Sequence, residues 1–413
     1  MNKKVVVLDN GIELIMLNTN KFKNVNVTLF FEDELNDYNV TCDNLLIKTL
    51  SEKTSVHSSR KELKSYLKEL YDMKINYFKD APGDTFLFAL NTDALNKKYT
   101  MNGENLLEKQ FELLNEILYS PLVSDNKFNE DYFKESKNLY KQVLVDKGNY
   151  KESVVTTKVN KVLGENNKLF VITGGYLDKL ESITNDDLYA KYLKLNSLCS
   201  KIVVCGEIDF DEVESYVKKY LKFDSNRNSF KYLFKNDLQK YEDKSYESKF
   251  GQSSIGVVYD LDVYVGDKLY YPAIIFTEMF NHYLFKIVRE EHNFCYSIYT
   301  IYMSSRGICY MQSNIEEKNY EMTLKLANDI INDLRNNIDE KVLKICKDKI
   351  INGYRREVDN PVKMTLNEYQ RYIYKLNDVD KVIEICKNIT GDDIKSVASM
   401  MEKKFSVILK EGN

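Results

Sequence analysis

The sequence predicts an α+β fold built from two duplicated domains of about 200 residues, each with an antiparallel-rich sheet covered by helices. Two observations lead to this prediction. The stretch ITNDDL at 183–188 returns as ITGDDI at 389–394, 206 positions later. In both halves this stretch follows strands and helices in the same order and precedes a last apolar strand. A matching order at a constant offset is typical of internal duplication.

Turn signals and apolar spacing predict the elements of the first half. Residues 4–17 alternate around Asn10-Gly11, a pair that favours a hairpin turn. Ser59 and Glu62 form a capping box, which marks the start of a helix. The other predicted strands are 26–33, 73–78, 85–91 and one from Lys201, and the other predicted helices are 41–52, 107–118, two within 129–163 and a short one after 183–188.

The second half repeats this plan. A helix begins at Pro272, a favoured first-turn residue, and is predicted to end near Val288. Two aromatic, alternating strands follow and are joined by a turn at 304–307. The remaining predicted elements are a strand at 254–260, a helix with apolar residues on one face between Tyr320 and Leu334, a helix opened by Thr390 and a last strand from Phe405.

A polar stretch separates the two halves. Residues 222–247 are rich in Asn, Lys and Asp, which is typical of an exposed linker. The predicted domains are therefore 1–222 and 248–413, with a linker at 223–247.

Composition excludes several classes of function. The net charge of −4 comes from 63 acidic and 59 basic residues that are thoroughly interspersed, so nucleic acid is not an expected partner. No apolar run approaches the roughly 18 residues that a membrane span needs. Seven cysteines without a C-x-x-C pair are typical of free thiols in a reducing compartment. We therefore predict a cytoplasmic protein without a membrane partner.

Arg289 and Tyr296 are the candidate functional pair. They lie seven residues apart, one at the predicted helix end and the other entering the first hairpin strand. A guanidinium and a phenol so placed could both reach a bound carbonyl group. From the residues alone, Arg289 could equally be a solvated side chain that suits the helix dipole, and Tyr296 one of 31 tyrosines.

A duplicated α+β chain of this size with R-x6-Y in its second half resembles the pitrilysin/insulinase family of inverzincin metallopeptidases. The run VREEHNFCYS, followed by the turn Ser-Ser-Arg-Gly, stands where that family has a leucine-arginine-glutamate run ending in Tyr-Ser. Gly11 after Asn10 is also similar to the start of the family. The resemblance covers nearly the whole chain and implies that Arg289 and Tyr296 act in peptide hydrolysis.

The zinc motif of that family is degenerate in this chain. The family holds zinc through H-x-x-E-H on a helix and through a Glu further along. By position, Asn44 and Lys48 replace the two His, and Ile47 replaces the general base. Gln142, seven residues after Glu135, replaces the third ligand. We therefore expect no zinc in this chain.

The three histidines lead to the same expectation without any alignment. His57, His282 and His292 include no two that lie four or five residues apart with an acid between them. The roles of His292 and Lys48 stay open.

Three hypotheses for the function remain. Some members of the family work as heterodimers in which one subunit carries zinc and the other carries Arg and Tyr, and this chain resembles the zinc-less subunit of bacterial pairs. The first hypothesis is therefore a subunit that is inactive alone and serves a zinc-bearing homologue with an intact H-x-x-E-H in processing peptides. The second is an interaction or scaffold protein of the same fold. The third is a hydrolase that uses unorthodox ligands of its own.

Overall fold

The structure is a computed structural model that describes residues 2–225 and 230–412. The chain divides into two compact units. Unit 1 comprises Met1–Leu144, Thr173–Lys231 and Glu357–Ile373, and unit 2 comprises Val145–Ile172, Tyr232–Arg356 and Tyr374–Asn413. Each unit therefore contains one segment from the other half of the sequence. The domain boundaries predicted from the sequence run consecutively and do not include these two exchanged segments.

Thirteen strands lie within the described residues. In chain order they are β1 Asn2–Val7, β2 Glu13–Asn18, β3 Asn24–Glu34, β4 Lys74–Asp80, β5 Thr85–Leu95, β6 Val123–Ser124, β7 Lys127–Phe128, β8 Cys199–Gly206, β9 Lys244–Glu247, β10 Ser253–Asp260, β11 Cys295–Met303, β12 Ile308–Ile315 and β13 Glu402–Lys410. Strand β9 falls inside the segment that was predicted to be a linker.

Fourteen α-helices lie in the same part of the chain. They are α1 Asp37–Glu52, α2 Arg60–Glu69, α3 Leu106–Tyr119, α4 Glu130–Lys147, α5 Lys151–Leu163, α6 Leu177–Ser182, α7 Asn185–Leu198, α8 Phe210–Tyr220, α9 Tyr270–Leu284, α10 Tyr320–Asn336, α11 Glu340–Glu357, α12 Pro361–Tyr374, α13 Val379–Asn388 and α14 Gly391–Met400. Helix α9 continues into a π-helical segment, Phe285–Glu291, so the prediction of a helix end near Val288 was wrong.

The two sheets have equivalent strand orders. The sheet of unit 1 has the order β1-β2-β8-β3-β5-β4, and that of unit 2 has the order β11-β12-β10-β13-β9. Read from the opposite edge, β9-β13-β10-β12-β11 matches β2-β8-β3-β5-β4. Among the strands of the described residues, the equivalent pairs β2–β8 and β9–β13 are parallel, and the other neighbours in the two sheets are antiparallel. This agreement supports the predicted duplication, with β1 as an addition to the first copy.

Helices cover both faces of each sheet. In unit 2, α9, α10 and α14 pack on the face that carries Val257, while α5 packs on the opposite face against Val258. In unit 1, α12 covers one face, where the Tyr369 ring stacks on Phe30 with a centroid distance of 4.3 Å. Burial of each such side chain contributes roughly 1.5–3 kcal/mol. Helices α5 and α12, which occupy equivalent places in the two halves, thus each cover the sheet of the other half.

The caps that begin the repeated helices were predicted correctly. Thr184 and Thr390 form capping boxes with Asp187 and Asp393 at the starts of α7 and α14. Ser59 forms the predicted box with Glu62. In each case the side chain accepts a hydrogen bond from a backbone N–H that the helix itself leaves unpaired.

Candidate functional site

Arg289 projects from the π-helical segment that follows α9. The wider turn shows in the backbone, because the amide of His292 donates to the carbonyl of Ile287 five residues back, at 3.1 Å. Asn293 then adopts a left-handed conformation, with a φ of +55°, which asparagine tolerates well. Short π-helical segments occur frequently at functional sites because they shift side chains out of the regular α-helical order.

A β-bulge re-aims Tyr296. Cys295 pairs with Ile315 and Ile298 pairs with Ser313, so β11 has one more residue than β12 over this stretch. Both Tyr296 and its neighbour in the bulge are exposed, and the Tyr296 side chain is 83% exposed. Bulges are common beside functional sites because the extra residue turns a side chain in a new direction.

The Arg289 guanidinium lies between two aromatic rings. Its Cζ is 4.4 Å from the centroid of Phe285 and 5.3 Å from that of Tyr296. Such cation–π contacts hold a guanidinium plane without using its N–H donors. Sequence reasoning missed Phe285, although an aromatic residue four positions before Arg289 on a helix was a usable signal.

Neither member of the pair has a hydrogen-bonding partner in the described chain. Arg289 makes no ion pair or hydrogen bond through its side chain, and the Tyr296 hydroxyl makes none. His292 in the same turn is exposed, and its ring lies 5.1 Å from that of Phe294. Burial raises the pKa of the Cys295 thiol, which opposes a role as a nucleophile. The open donors here are therefore a guanidinium and a phenol.

On the degenerate zinc helix, α1, the polar side chains bond to other groups of the chain. The side-chain amide of Asn44 donates to the carbonyls of Val40 and Thr173, at 2.7 and 3.0 Å. Its oxygen accepts from the Lys79 ammonium group at 2.9 Å. The amide of Asn44 thus joins α1 to two other segments of unit 1, which is a structural use.

Ion pairs occupy the next turn of α1. The Lys48 ammonium group lies 3.0 Å from Glu52, one turn later on the same helix. Arg60 bridges Glu52 and Glu135 at 2.5 and 3.5 Å, and Lys53 also pairs with Glu135 at 2.5 Å. These acids neutralise cations of the chain itself.

These residues do not fit a catalytic zinc ion. Asn44 and Lys48 share one face of α1, but Ile47 is buried at 4% exposure and Gln142 is exposed on α4. Zinc needs imidazole, thiolate or carboxylate ligands, and a lysine ammonium group repels it. Within residues 2–225 and 230–412, no group of three or more His, Cys, Asp or Glu side chains is arranged to hold a metal ion.

Comparison with known proteins shows which proteins this chain is similar to. Residues 182–350 match the family described as "Peptidase M16 inactive domain". The chain is 23% identical over 413 residues to "Probable inactive metalloprotease YmfF" of Bacillus subtilis (strain 168), covering 97% of this chain and 96% of that protein. The chain is therefore similar in sequence to M16 peptidases.

Two solved structures show how the fold is shared. A conserved protein from Enterococcus faecalis V583 has a TM-score of 0.92 at 23% identity, covering 100% of this chain and 99% of the other. A mutant of the ferredoxin protease FusC, solved in complex with Arabidopsis ferredoxin, has a TM-score of 0.74 at 13% identity. The match covers 100% of this chain and 45% of the FusC chain.

These similarities confirm the resemblance to the pitrilysin/insulinase peptidases. The similarity to an M16 domain described as inactive and to a probable inactive metalloprotease agrees with the degenerate zinc motif of α1. None of the described helices is long and apolar enough to cross a membrane.

Proposed function

We propose that this chain is the zinc-less subunit of a heterodimeric metallopeptidase that processes peptides. It would contribute substrate-binding surface, Arg289 and Tyr296, and a zinc-bearing homologue with an intact H-x-x-E-H would contribute the metal. The observation that carries the proposal is the pair of open donors on unit 2. A guanidinium held between two rings and an exposed phenol are placed for an external acceptor, since neither bonds to the described chain.

Peptide hydrolysis offers acceptors of the required kind. Attack of water on a peptide carbonyl builds negative charge on the oxygen, and the Tyr296 hydroxyl can donate a hydrogen bond to it. Arg289 presents several N–H donors in one plane and can hold backbone carbonyls of the substrate before reaction. The aromatic rings beside Arg289 leave these donors free while they fix the guanidinium plane.

The length of FusC supports the need for a second chain. This chain aligns over its full length with 45% of FusC, so a protease chain that contains this fold can be about twice as long. A separate homologous subunit would supply the remainder here. All seven cysteines are buried and none forms a disulfide within the described residues, which suits a reducing compartment, and we place the complex in the cytoplasm.

Reconstitution with a homologue from the same source tests the proposal. The purified chain alone should be inert toward peptides and carry no stoichiometric zinc by elemental analysis. Mixed with the zinc-bearing homologue, it should form a complex that cleaves short peptides and spares folded proteins. Chelator-sensitive cleavage by the lone chain, with about one zinc per chain, would contradict the proposal and favour a hydrolase with its own ligands.

The scaffold hypothesis makes a different prediction about the same mixture. The ion-paired α1 region shows that unit 1 has a structural use for its degenerate residues. A pure scaffold would bind its partner without changing the rate of peptide cleavage. Peptide cleavage by the partner at the same rate with and without this chain would therefore favour a scaffold.

A further inference from the structure

Asparagine is followed by glycine at three places in the chain: Asn10-Gly11, Asn102-Gly103 and Asn352-Gly353. In such a pair the backbone nitrogen of the glycine can attack the side-chain amide carbon of the asparagine, because glycine has no side chain that hinders the approach. The three pairs differ in how firmly the chain holds the two reacting groups, and this difference decides which pair can react.

The pair Asn10-Gly11 is restrained at both reacting groups. The N–H of Gly11 donates to the carbonyl of Leu8 at 2.7 Å. The side-chain amide of Asn10 donates to the carbonyl of Phe223 at 3.1 Å, and its oxygen accepts from the N–H of Ile12 at 3.1 Å. The attacking nitrogen and the amide that it would attack are therefore tied to separate partners.

The pair Asn352-Gly353 lies inside α11. In a helix interior the N–H of each residue donates to the carbonyl four residues back, so the Gly353 nitrogen is held along the helix axis. The Asn352 oxygen also accepts from the Arg355 guanidinium at 3.3 Å. The reaction at this pair would require α11 to unwind.

The pair Asn102-Gly103 lies in the loop before α3, and both residues are exposed. The N–H of Gly103 makes no hydrogen bond within the described residues. A side chain at Gly103 would meet no atom within 4 Å, and its φ of +73° is one that glycine adopts readily. The attacking nitrogen is therefore free, and the loop has room to rearrange around it.

Asn102 also helps to hold this loop in place. Its backbone N–H and its side-chain amide donate to the two carboxylate oxygens of Glu104, at 3.1 and 3.0 Å. The Tyr71 hydroxyl donates to the same carboxylate at 3.0 Å and accepts from the N–H of Met101 at 2.9 Å. Hydrogen bonds from the N–H of Glu104 itself, from Asn102 and from Tyr71 lower the pKa of the Glu104 carboxyl to about 2.

We propose that Asn102 is a site of spontaneous deamidation. The Gly103 nitrogen forms a bond to the side-chain amide carbon of Asn102, and the bond from that carbon to the amide nitrogen breaks. The proton of the Gly103 nitrogen leaves with the amide group as ammonia. Water then opens the resulting succinimide ring at either carbonyl and gives aspartate or isoaspartate. This inference does not depend on the proposed function.

The reaction replaces a hydrogen-bond donor to Glu104 with a second carboxylate. Two negative charges at this distance repel each other, and isoaspartate also lengthens the backbone by one atom. The hydrogen bonds that join Glu104 and Met101 to Tyr71 should therefore weaken. Deamidation would loosen the loop before α3 from the turn that holds Tyr71.

Peptide mapping by mass spectrometry tests the site. The full-length chain is incubated in a mildly alkaline buffer, and the conversion of amide to acid is followed at each of the three pairs. We expect Asn102 to convert at least about tenfold faster than Asn10 or Asn352, since the two protected pairs must first open locally. Fragment spectra should show isoaspartate among the products at position 102.

Asn102→Gln is the control variant. It keeps a side-chain amide that can donate to Glu104, but the longer side chain closes a less favourable ring, so position 102 should stay unchanged. A synthetic peptide of residues 100–106 shows that the buffer supports the reaction. Equal rates at the three pairs in the folded chain, or no conversion of Asn102 while the peptide converts, would overturn the assignment.

Asn102→Asp tests the consequence for the loop without waiting for the reaction. Hydrogen exchange of the Met101 amide should be at least about fivefold faster than in wild type, the factor for losing a hydrogen bond of ordinary strength. Asn352→Asp is the matched control, because it introduces the same charge at an exposed Asn-Gly pair and should leave Met101 unchanged. Equal exchange of Met101 in wild type and Asn102→Asp would overturn the predicted loosening of the loop.

Discussion

The degenerate zinc region of unit 1 and the surface around Arg289 in unit 2 use their polar side chains differently. The first region is formed by α1, α4 and nearby residues, and the second by the π-helical segment after α9 and by the start of β11. In unit 1, Asn44 and Lys48 bond to groups of the chain itself. In unit 2, Arg289 and Tyr296 have no such partners in the described residues.

This difference separates two uses of the same framework. Polar groups that are satisfied internally stabilise the fold, and their removal costs free energy of unfolding. Polar groups left open add little to stability and are available to a ligand. Mutations in the first region should therefore change stability, and mutations in the second should change function.

The largest expected effect is that of Tyr296→Phe in the reconstituted peptidase. Losing one donor to a developing oxyanion costs roughly 2.7–4 kcal/mol, or about 100- to 1,000-fold in kcat. KM should hardly change, because the bond matters mainly in the transition state. Steady-state kinetics under conditions where chemistry limits turnover measures this. If the variant turns over substrate at the wild-type rate, Tyr296 is an exposed aromatic residue without a catalytic role.

Arg289→Ala should differ from Tyr296→Phe in the same assay. It should raise KM as well as lower kcat, because the guanidinium holds substrate carbonyls before the reaction. The free energy of unfolding should stay within about 0.5 kcal/mol of wild type, as expected for a residue without internal bonds. A large loss of stability would show that Arg289 belongs to the fold instead.

Asn44→Ala tests the degenerate zinc region of unit 1, whose polar groups bond to the chain itself. It removes hydrogen bonds to Thr173 and Lys79 and leaves a carbonyl without its donor, so unfolding should become easier by about 1–3 kcal/mol. Urea denaturation measures the change, with Tyr296→Phe as the control that should unfold like the wild type. Equal stability of wild type and Asn44→Ala would mean that the hydrogen bonds of Asn44 do not stabilise unit 1.

Asp43→Asn should change how stability depends on pH. Asp43 is fully buried beside Lys191, whose ammonium group lies 3.3 Å away and also pairs with Asp33. Burial raises the pKa of the Asp43 carboxyl well above its usual value. The folded state therefore holds this proton more tightly than the unfolded state does.

As pH rises from about 4 through the raised pKa, wild type should lose stability relative to Asp43→Asn. Urea unfolding of both proteins at several pH values checks the sign. A gap that stays constant with pH would show that Asp43 keeps an ordinary pKa.

The smallest expected effect is that of Lys48→Met. Its ion pair with Glu52 is partly exposed, and Glu52 keeps Arg60 as a partner. We expect a loss of about 0.3–1 kcal/mol that shrinks as salt is added. A loss above about 2 kcal/mol would show that Lys48 has a structural role beyond this pair.

Most of the fold was predictable because its signals are local. Hairpin turns, capping boxes and apolar spacing predicted most of the strands and many of the helices, including the repeated helices that Thr184 and Thr390 cap. Strand β9 was missed because its sequence, KSYE, is polar and pairs only at an edge. Helix α12 was not predicted, and the sheet that α5 covers could not be read from the sequence, because helical spacing shows which face of a helix is apolar but not which sheet that face covers.

The site was predictable in its residues but not in its geometry. Arg289 and Tyr296 could be named from their spacing, and their roles stay predictions. The π-helical turn and the bulge at Tyr296 could not be foreseen, since each adds one residue to a regular pattern and leaves the pattern on both sides unchanged.

The exchange of α5 and α12 has a consequence for synthesis on the ribosome. The sheet of unit 1 is translated almost entirely by Gly206, yet the helix that covers one of its faces begins at Pro361. Phe30 and its neighbours on that face therefore stay exposed while more than a third of the chain is still being synthesised. Such late closure slows folding and exposes apolar surface to aggregation. A fragment that ends before Pro361 should be made with α12 fused back on, or it will lack one side of its core.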